Sequence, residues 1–319
     1  MTVREALVAG SAVLKTAGIK SHSLDASLLL AEVLNTGRSS LIAVAGDPLA
    51  EEALAAFGDL IKRRLAGECT AYILGRKEFY GLGFLVNPSV LVPRPETETL
   101  VQLTINSEQL TINKEQRAKS KEKKATGNEP VRVLDLCTGS GAVAIALKHE
   151  MPELEVLATD ISAEALKTAE TNAARLLPPD SIRFFHGDIY KALPQLFTFH
   201  FSLFTVIVSN PPYIPTTEIA GLSPEVRAEP VLALDGGGDG LDIIRRIIAG
   251  ASEFLCPGGV LLLEADPWQM NKIACLYEKA SFTNIVTYND LAGKKRVISG
   301  KKPETRDTRL IVCHKKPKD

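Results

Sequence analysis

Apolar residues recur at helical spacing through residues 1–70. Leu7, Val8, Val13 and Leu14 follow Thr2 and Glu5, which are spaced as a capping box. A second stripe carries Leu24, Leu28, Leu29, Ala31 and Val33-Leu34. Asp47-Pro48 is a start signal for a third helix through Leu60, Ile61 and Leu65. Together these predict a small helical bundle. The pattern then changes: Phe79 to Val86 and Val90-Leu91-Val92 read as short strands around Gly and Asn-Pro turns, Pro93-Arg94-Pro95 interrupts, and Glu96-Thr97-Glu98 opens a helix. From Val131 on, strands and helices alternate. Strands are expected at 131–134, 154–159, 182–185, 204–208 and 259–264, and strand-like stretches at 283–288 and 296–298. Such alternation predicts a parallel sheet covered on both faces, with ligands at the carboxyl ends of its strands. Asp135, Asp160, Asp188 and Asn210 all fall at those ends.

Residues 104–129 interrupt the pattern. Leu110-Thr111-Ile112-Asn113 repeats Leu103-Thr104-Ile105-Asn106, and Lys119 to Lys124 is a polar, mostly basic run. A duplicated insertion forming a mobile surface loop is expected. The domain reading is then 1–75 helical, 76–100 a hairpin linker, 101–130 the insertion, 131–302 the α/β domain and 303–319 an extension that includes Leu310-Ile311-Val312.

Composition narrows the function classes. The 319 residues carry a formal charge of −1, so there is no basic excess to hold a long phosphate backbone, and no direct nucleic-acid binding is expected. The five cysteines form no CxxC pair and the five histidines have no ligand spacing, so they read as reduced thiols without a metal centre. No apolar stretch has the length of a bilayer span and no signal peptide opens the chain, which predicts a cytoplasmic protein without membrane contact.

The chemistry concentrates in two places. Asp135-Leu136-Cys137-Thr138-Gly139-Ser140-Gly141 is a glycine-containing strand-to-helix loop, without the three-glycine spacing of a pyrophosphate site. Its backbone can approach a ligand at Gly139 and Gly141, and Asp135 can bind an ammonium group. Asp160 ends the next strand, where a carboxylate takes both hydroxyls of a ribose. Asp188 is placed for an adenine amino group, and Ile189 for the ring face. An amine, a ribose diol and an adenine together describe S-adenosylmethionine, although any one of these aspartates could equally be a helix cap. The second place is Asn210-Pro211-Pro212-Tyr213, after the apolar run 204–209. Two prolines fix φ and remove two N–H groups, so the Asn amide and neighbouring carbonyls point one way, with the Tyr ring as a wall. Such a corner can accept two hydrogen bonds from a planar –NH2 group. A rigid surface turn is the plainer alternative.

The Asp-x-x-Thr-Gly-Ser-Gly loop with Asn210-Pro211-Pro212-Tyr213 resembles the seven-stranded class I, Rossmann-like methyltransferases that modify exocyclic or amide nitrogens. Further upstream, Ala71 to Gly75, Glu78-Phe79-Tyr80-Gly81 and Pro93-Arg94-Pro95-Glu96-Thr97-Glu98 are similar to the N5-glutamine methyltransferases of peptide chain release factors. So are Glu229-Pro230, Gly237-Gly238-Asp239-Gly240-Leu241 and Asp290-Leu291-Ala292-Gly293. The resemblance implies a helical N-terminal domain that docks the release factor, joined by a β-hairpin to the catalytic domain. It also implies S-adenosylmethionine as methyl donor and the glutamine of a Gly-Gly-Gln loop as acceptor. The catalytic residues would be Asn210, Pro211, Pro212 and Tyr213; the cofactor residues Asp135, Cys137, Thr138, Gly139, Ser140, Gly141, Asp160, Asp188, Ile189 and Asn210. Cys137 departs from the pattern, standing where a glycine is usual. Two other readings stay open: a nucleic-acid amino methyltransferase, whose acceptor –NH2 poses the same problem, and a non-catalytic adaptor that keeps the fold. Arg94 and Glu96 close over the cofactor or brace the hairpin, the Gly-rich 235–239 loop shapes the substrate rim, and Trp268 and His186 read as helix entry and strand end.

Overall fold

The computed structural model describes residues 1–107, 131–194 and 203–304. The expected insertion lies almost wholly outside the described residues, as does nearly all of the C-terminal extension, including Leu310-Ile311-Val312. Among the described residues, no helix is long and apolar enough to cross a membrane.

The chain begins with helices α1 (Val3–Thr16), α2 (His22–Val33) and α3 (Glu51–Leu65), followed by the single turn α4 (Thr70–Leu74). The Thr2–Glu5 capping box forms as its spacing predicts. The buried stripe of α1 is Val3, Ala6, Gly10 and Leu14, with Leu7 packed beside it; of the apolar positions expected to face the core, Val8 and Val13 instead face solvent. Helix α3 starts at Glu51, beyond the Asp47-Pro48 signal. Residues 47–49 instead pair with the N-terminus: the Leu49 N–H donates to Met1 O (2.9 Å) and the Val3 N–H to Asp47 O (3.1 Å). Backbone groups already paired that way are not free to join a helix.

A two-stranded hairpin, β1 (Arg76–Phe79) and β2 (Leu82–Leu85), leads away from the bundle. The segment expected as a further strand at 90–92 is irregular. Side chains satisfy its backbone there: Tyr72 Oη donates to Val90 O (2.6 Å), and the Val92 N–H donates to Glu229 Oε2 (3.3 Å). Val86, Val90 and Val92 are nonetheless buried, in a small cluster with Tyr72 and Ala165. Apolar alternation reported burial correctly but not the ladder.

Helix α5 (Glu98–Ile105) then enters the α/β domain. Its sheet has seven strands in the order β5-β4-β3-β6-β7-β9-β8. They are β3 (Arg132–Leu136), β4 (Glu155–Asp160), β5 (Ile182–His186), β6 (Phe204–Ser209), β7 (Leu255–Glu264), β8 (Thr283–Asn289) and β9 (Lys295–Lys301). Helices α6 (Ala142–Glu150), α7 (Ala163–Leu176), α8 (Asp242–Phe254) and α9 (Met270–Lys279) lie between them in sequence. The first five strands are parallel, but β9 runs antiparallel to both β7 and β8, so the sheet is mixed. The short turn between β8 and β9 is the cause: Asp290 Oδ1 accepts the N–H groups of Ala292 and Lys294 at 2.9 Å each, and a tight turn can only reverse the chain. Two large apolar clusters pack the sheet, one around Ile207, Ile247 and Tyr277, the other around Val133, Ala146 and Val208.

The chain runs outward through β3, β4 and β5, then returns to place β6 on the other side of β3. The strand order therefore reverses between β3 and β6, and a crevice opens at their carboxyl ends, where ligands of such sheets bind.

Candidate active site

One cavity occupies that crevice. Asp135, Cys137, Thr138, Gly139, Ser140 and Asp160 line one side. Asp188, Ile189, Asn210 and Pro212 complete it, with Arg94 and Thr97 from the approach to α5. With its mouth it holds about 1190 Å³ of empty space.

Asp135 is buried within β3. It accepts the Thr138 hydroxyl at 2.6 Å and the Ala144 N–H at 3.2 Å, both on Oδ2, which leaves Oδ1 for the cavity. Burial pushes its pKa up to about 7 against the pull of those two bonds. Asp160 ends β4, and each of its oxygens takes one backbone N–H: Oδ2 from Gly139 (2.8 Å) and Oδ1 from Ser162 (2.9 Å). The carboxylate is thereby held in one rotamer with lone pairs left over, the arrangement a vicinal diol needs. Its pKa too is raised, chiefly by burial. The loop between β3 and α6 curls because Cys137 (φ 59°) and Gly139 (φ 58°) both adopt the left-handed region. A Cβ at Gly139 would meet nothing within 4 Å, so that residue leaves the cavity floor open. Cys137 carries a side chain in a conformation that favours glycine, and burial drives its thiol pKa well up, away from reactivity. Gly141 packs against Ile145 and Ala169 and does not line the cavity.

Asp188 stands at the rim, ion-paired with Arg246 of α8, a partner its sequence neighbours do not announce. Ile189 beside it is buried at φ 51°. A β-branched residue there is an outlier, strained by about 1–3 kcal/mol, and such strain collects at ligand sites.

Asn210 leaves β6 and donates from Nδ2 to Thr97 Oγ1 (3.1 Å). Its Oδ1 is thus the end presented to the cavity. Pro212 lines the cavity with it; Pro211 and Tyr213 do not. The Tyr213 ring, expected as a wall, packs against the core cluster around Ile207, and burial raises its phenol pKa. What holds the turn is behind it. Gln269, fully buried, donates from Nε2 to Tyr213 O (2.9 Å) and Gly240 O (3.3 Å). The Ile214 N–H donates to Leu234 O (2.9 Å) and the Gly236 N–H to Ile214 O (2.8 Å). The Gly-rich loop presses so closely that a Cβ at Gly240 would lie 2.3 Å from Tyr213 O. That loop, expected at the substrate rim, brings Asp235 to the cavity lining and also buttresses the turn.

Arg94 reaches the cavity from the other side, held by Glu229 Oε1 at 2.5 Å. Glu229 in turn follows the segment Pro224–Arg227, whose Glu225 pairs with Arg64 of α3. Arg64 also binds Asp25 of α2 at 2.8 Å, so a cation buried within the bundle reaches the half-exposed Glu225 and ties the bundle to the chain that follows the proline turn. Thr97, Gln269, Glu229 and Arg64 were not singled out for these roles by the sequence pattern. Glu96-Thr97-Glu98 reads there as the opening of a helix, and the Thr97 side chain makes no cap bond.

Comparison with known proteins bears on what such a site does. Residues 5–75 match the PrmC N-terminal domain and residues 122–222 the methyltransferase small domain. The release factor glutamine methyltransferase of Deinococcus radiodurans is 37% identical over 302 residues, 95% of this chain and 99% of that protein. The chain belongs to the release factor glutamine methyltransferase family. The Bradyrhizobium diazoefficiens member of that family is 40% identical over 294 residues, 92% of each chain. Among solved structures, the catalytic domain of hMettl16 in complex with MAT2A 3'UTR hairpin 6 superposes with a TM-score of 0.52 at 16% identity. That match covers 78% of this chain and 83% of the other, a likeness of fold alone. Family membership accounts for the seven-stranded methyltransferase sheet and for S-adenosylmethionine as methyl donor. The cavity suits that donor: a carboxyl oxygen for an ammonium group, a second carboxylate fixed for a diol, and an apolar wall at Ile189.

Proposed function

We propose that this protein transfers the methyl group of S-adenosylmethionine to the side-chain amide nitrogen of the glutamine in the Gly-Gly-Gln motif of peptide chain release factors. The observation that carries the reading is the orientation of Asn210: its Nδ2 is engaged by Thr97, so a carbonyl oxygen faces the cavity beside Asp135 and Asp160.

An amide nitrogen is a poor nucleophile because its lone pair is delocalised into the carbonyl. The bound cofactor supplies a methyl carbon made electrophilic by the sulfonium beside it. Asp135 would hold its ammonium group, Asp160 its ribose hydroxyls, and Asp188 with Ile189 its adenine. Asn210 Oδ1 accepts one N–H group of the glutamine amide, and the Pro211 carbonyl, set behind the cavity wall beside it, accepts the other once the side chain has entered, which draws the nitrogen out of conjugation. Both acceptors strengthen as the nitrogen becomes cationic, which is stabilisation specific to the transition state. No strong base is required, since the cationic nitrogen sheds its proton readily. Tyr213, anchored in the core, keeps the turn from swinging.

The helical bundle of residues 1–75 docks the release factor, and the Arg64 link ties it to the segment following the turn. Such a substrate places the protein in the cytoplasm and calls for no direct contact with nucleic acid, in keeping with a formal charge of −1. Mass spectrometry of a release factor incubated with the protein and S-adenosylmethionine tests the reading: one added methyl group on the Gly-Gly-Gln peptide is expected. Faster methylation of a DNA oligonucleotide than of the release factor would overturn it.

A further inference from the structure

The two ends of a carboxamide are nearly the same size, and the terminal torsion of Asn is roughly two-fold, so shape alone does not choose between them. For Asn210 the choice decides everything: Oδ1 forward accepts the substrate N–H, whereas Nδ2 forward opposes it. We propose that Thr97, backed by the buried carboxyl of Glu264, is the positioning residue that fixes the Asn210 carboxamide with its oxygen toward the acceptor amide. The proposal deepens the methyl-transfer reading above and rests on it.

Thr97 alone does not settle the orientation, because a hydroxyl both donates and accepts. What settles it is the destination of the Thr97 proton. Thr97 is 3% exposed and makes no bond to the helix it opens, so its proton goes to a protein acceptor. Glu264 supplies one. Ser209 pairs with Leu263 across β6 and β7, which sets Asn210 opposite Glu264 at the carboxyl edge of the sheet. Glu264 is 1% exposed, and Thr97 beside it favours its charged form against the burial that raises its pKa to about 7; once ionised, the carboxyl is an acceptor for the Thr97 proton. With its proton on an ionised Glu264, Thr97 turns only lone pairs to Asn210, and Asn210 answers with Nδ2–H at 3.1 Å.

A second observation separates this from ordinary core structure. Glu264 Oε2 is buried without a hydrogen-bond partner. An unsatisfied buried carboxyl oxygen costs stability, and each such group in a folded protein calls for a reason. Holding an acceptor beside Thr97 gives the buried carboxyl a role.

The test is turnover with a release factor as methyl acceptor, alongside cofactor binding by calorimetry, which also reports that each variant is folded. Thr97→Val lowers kcat about tenfold or more, while KM for release factor and Kd for cofactor stay within about twofold. Thr97→Ser keeps the hydroxyl and recovers most of kcat. Glu264→Met keeps the volume, removes the acceptor and lowers kcat as Thr97→Val does; exchanging a buried charge for an apolar group is compatible with folding. Because Thr97 acts through Asn210, adding Thr97→Val to Asn210→Ala changes kcat no further. The proposal is overturned if Thr97→Val and Thr97→Ser behave alike, if Glu264→Met turns over normally, or if Thr97→Val slows the Asn210→Ala enzyme as much as it slows the wild type. A wild-type protein that leaves the release factor unmethylated overturns the substrate reading itself, and the proposal with it.

Discussion

Replacing Asn210 with Ala removes one acceptor from the substrate amide while leaving the cofactor's expected partners on β3 and β4 untouched. The size of the effect follows from how the bond changes during reaction. A hydrogen bond between neutral groups contributes about 0.5–1.5 kcal/mol net, and one to a charged group about 1.5–3 kcal/mol. The acceptor therefore stabilises the cationic nitrogen over the neutral amide by about 1–2 kcal/mol, or about tenfold in kcat. Loss of orientation adds to this, since Asn210 is itself pinned by Thr97 and by the proline that follows. Removing a preorganised donor or acceptor of this kind slows enzymes by about a hundredfold to a thousandfold, so a fall of about a hundredfold in kcat is expected. KM for release factor rises only severalfold because docking lies elsewhere, and Kd for S-adenosylmethionine moves by less than about twofold. Single-turnover transfer of labelled methyl into a purified release factor reads the first quantity, and titration calorimetry the last. If cofactor affinity falls by as much as kcat, Asn210 is a cofactor ligand and the carboxamide-gripping mechanism is refuted.

Asp135→Asn should weaken cofactor binding and flatten its pH dependence. The wild-type carboxyl has a pKa of about 7 and must be charged to hold an ammonium group, so wild-type affinity should fall as pH drops below 7, approaching tenfold per unit, in calorimetry. The same raised pKa means the ionised form is penalised in the folded state. The penalty is full above about pH 7 and is relieved progressively as pH falls from there toward the ordinary carboxyl value of 3.8, so Asp135→Asn should melt higher than wild type at pH 8 in a thermal scan. Gly240→Ala forces a Cβ to within 2.3 Å of Tyr213 O at φ 75°; a stability loss of about 1–3 kcal/mol in urea and a drop in kcat with unchanged cofactor affinity are expected. Arg64→Ala strands the buried Asp25 and breaks the link to Glu225, which should destabilise the protein by about 3–5 kcal/mol in denaturant unfolding.

The features that could be read from the sequence are those whose cause is local. A capping box needs two residues three apart, and it formed at Thr2 and Glu5. Strand–helix alternation implied the layered sheet, because each element must bury its own apolar face. It could not distinguish parallel from antiparallel at the far edge, where the short Asp290 turn decides the matter. Nor could it tell which apolar residues of α1 turn inward: Leu14 is buried, while Val8 and Val13 face solvent and the small Gly10 lies inward, close to Phe57.

The acidic strand ends and the proline turn were likewise visible as candidates, since each sits beside the backbone feature that aims it. What supports them was hidden because it comes from far along the chain. Thr97 is 113 residues from the Asn210 it holds, Glu229 is 135 from Arg94, and Gln269 is 56 from the Tyr213 carbonyl. Each of these three also has a plainer local meaning, as cap, surface acid or helix opener, and only burial separates the two. Thr97, Glu229 and Gln269 are all at most 3% exposed. A buried polar side chain must find its partner within the protein, and here each finds it on or beside the residues that carry the reaction. The turn's rigidity is thus not a property of its prolines alone. Four separate elements (the start of α5, the chain after the turn, the Gly-rich loop and the entry to α9) converge on it, so a substitution in any of them reaches the reacting amide through one hydrogen bond or one backbone contact.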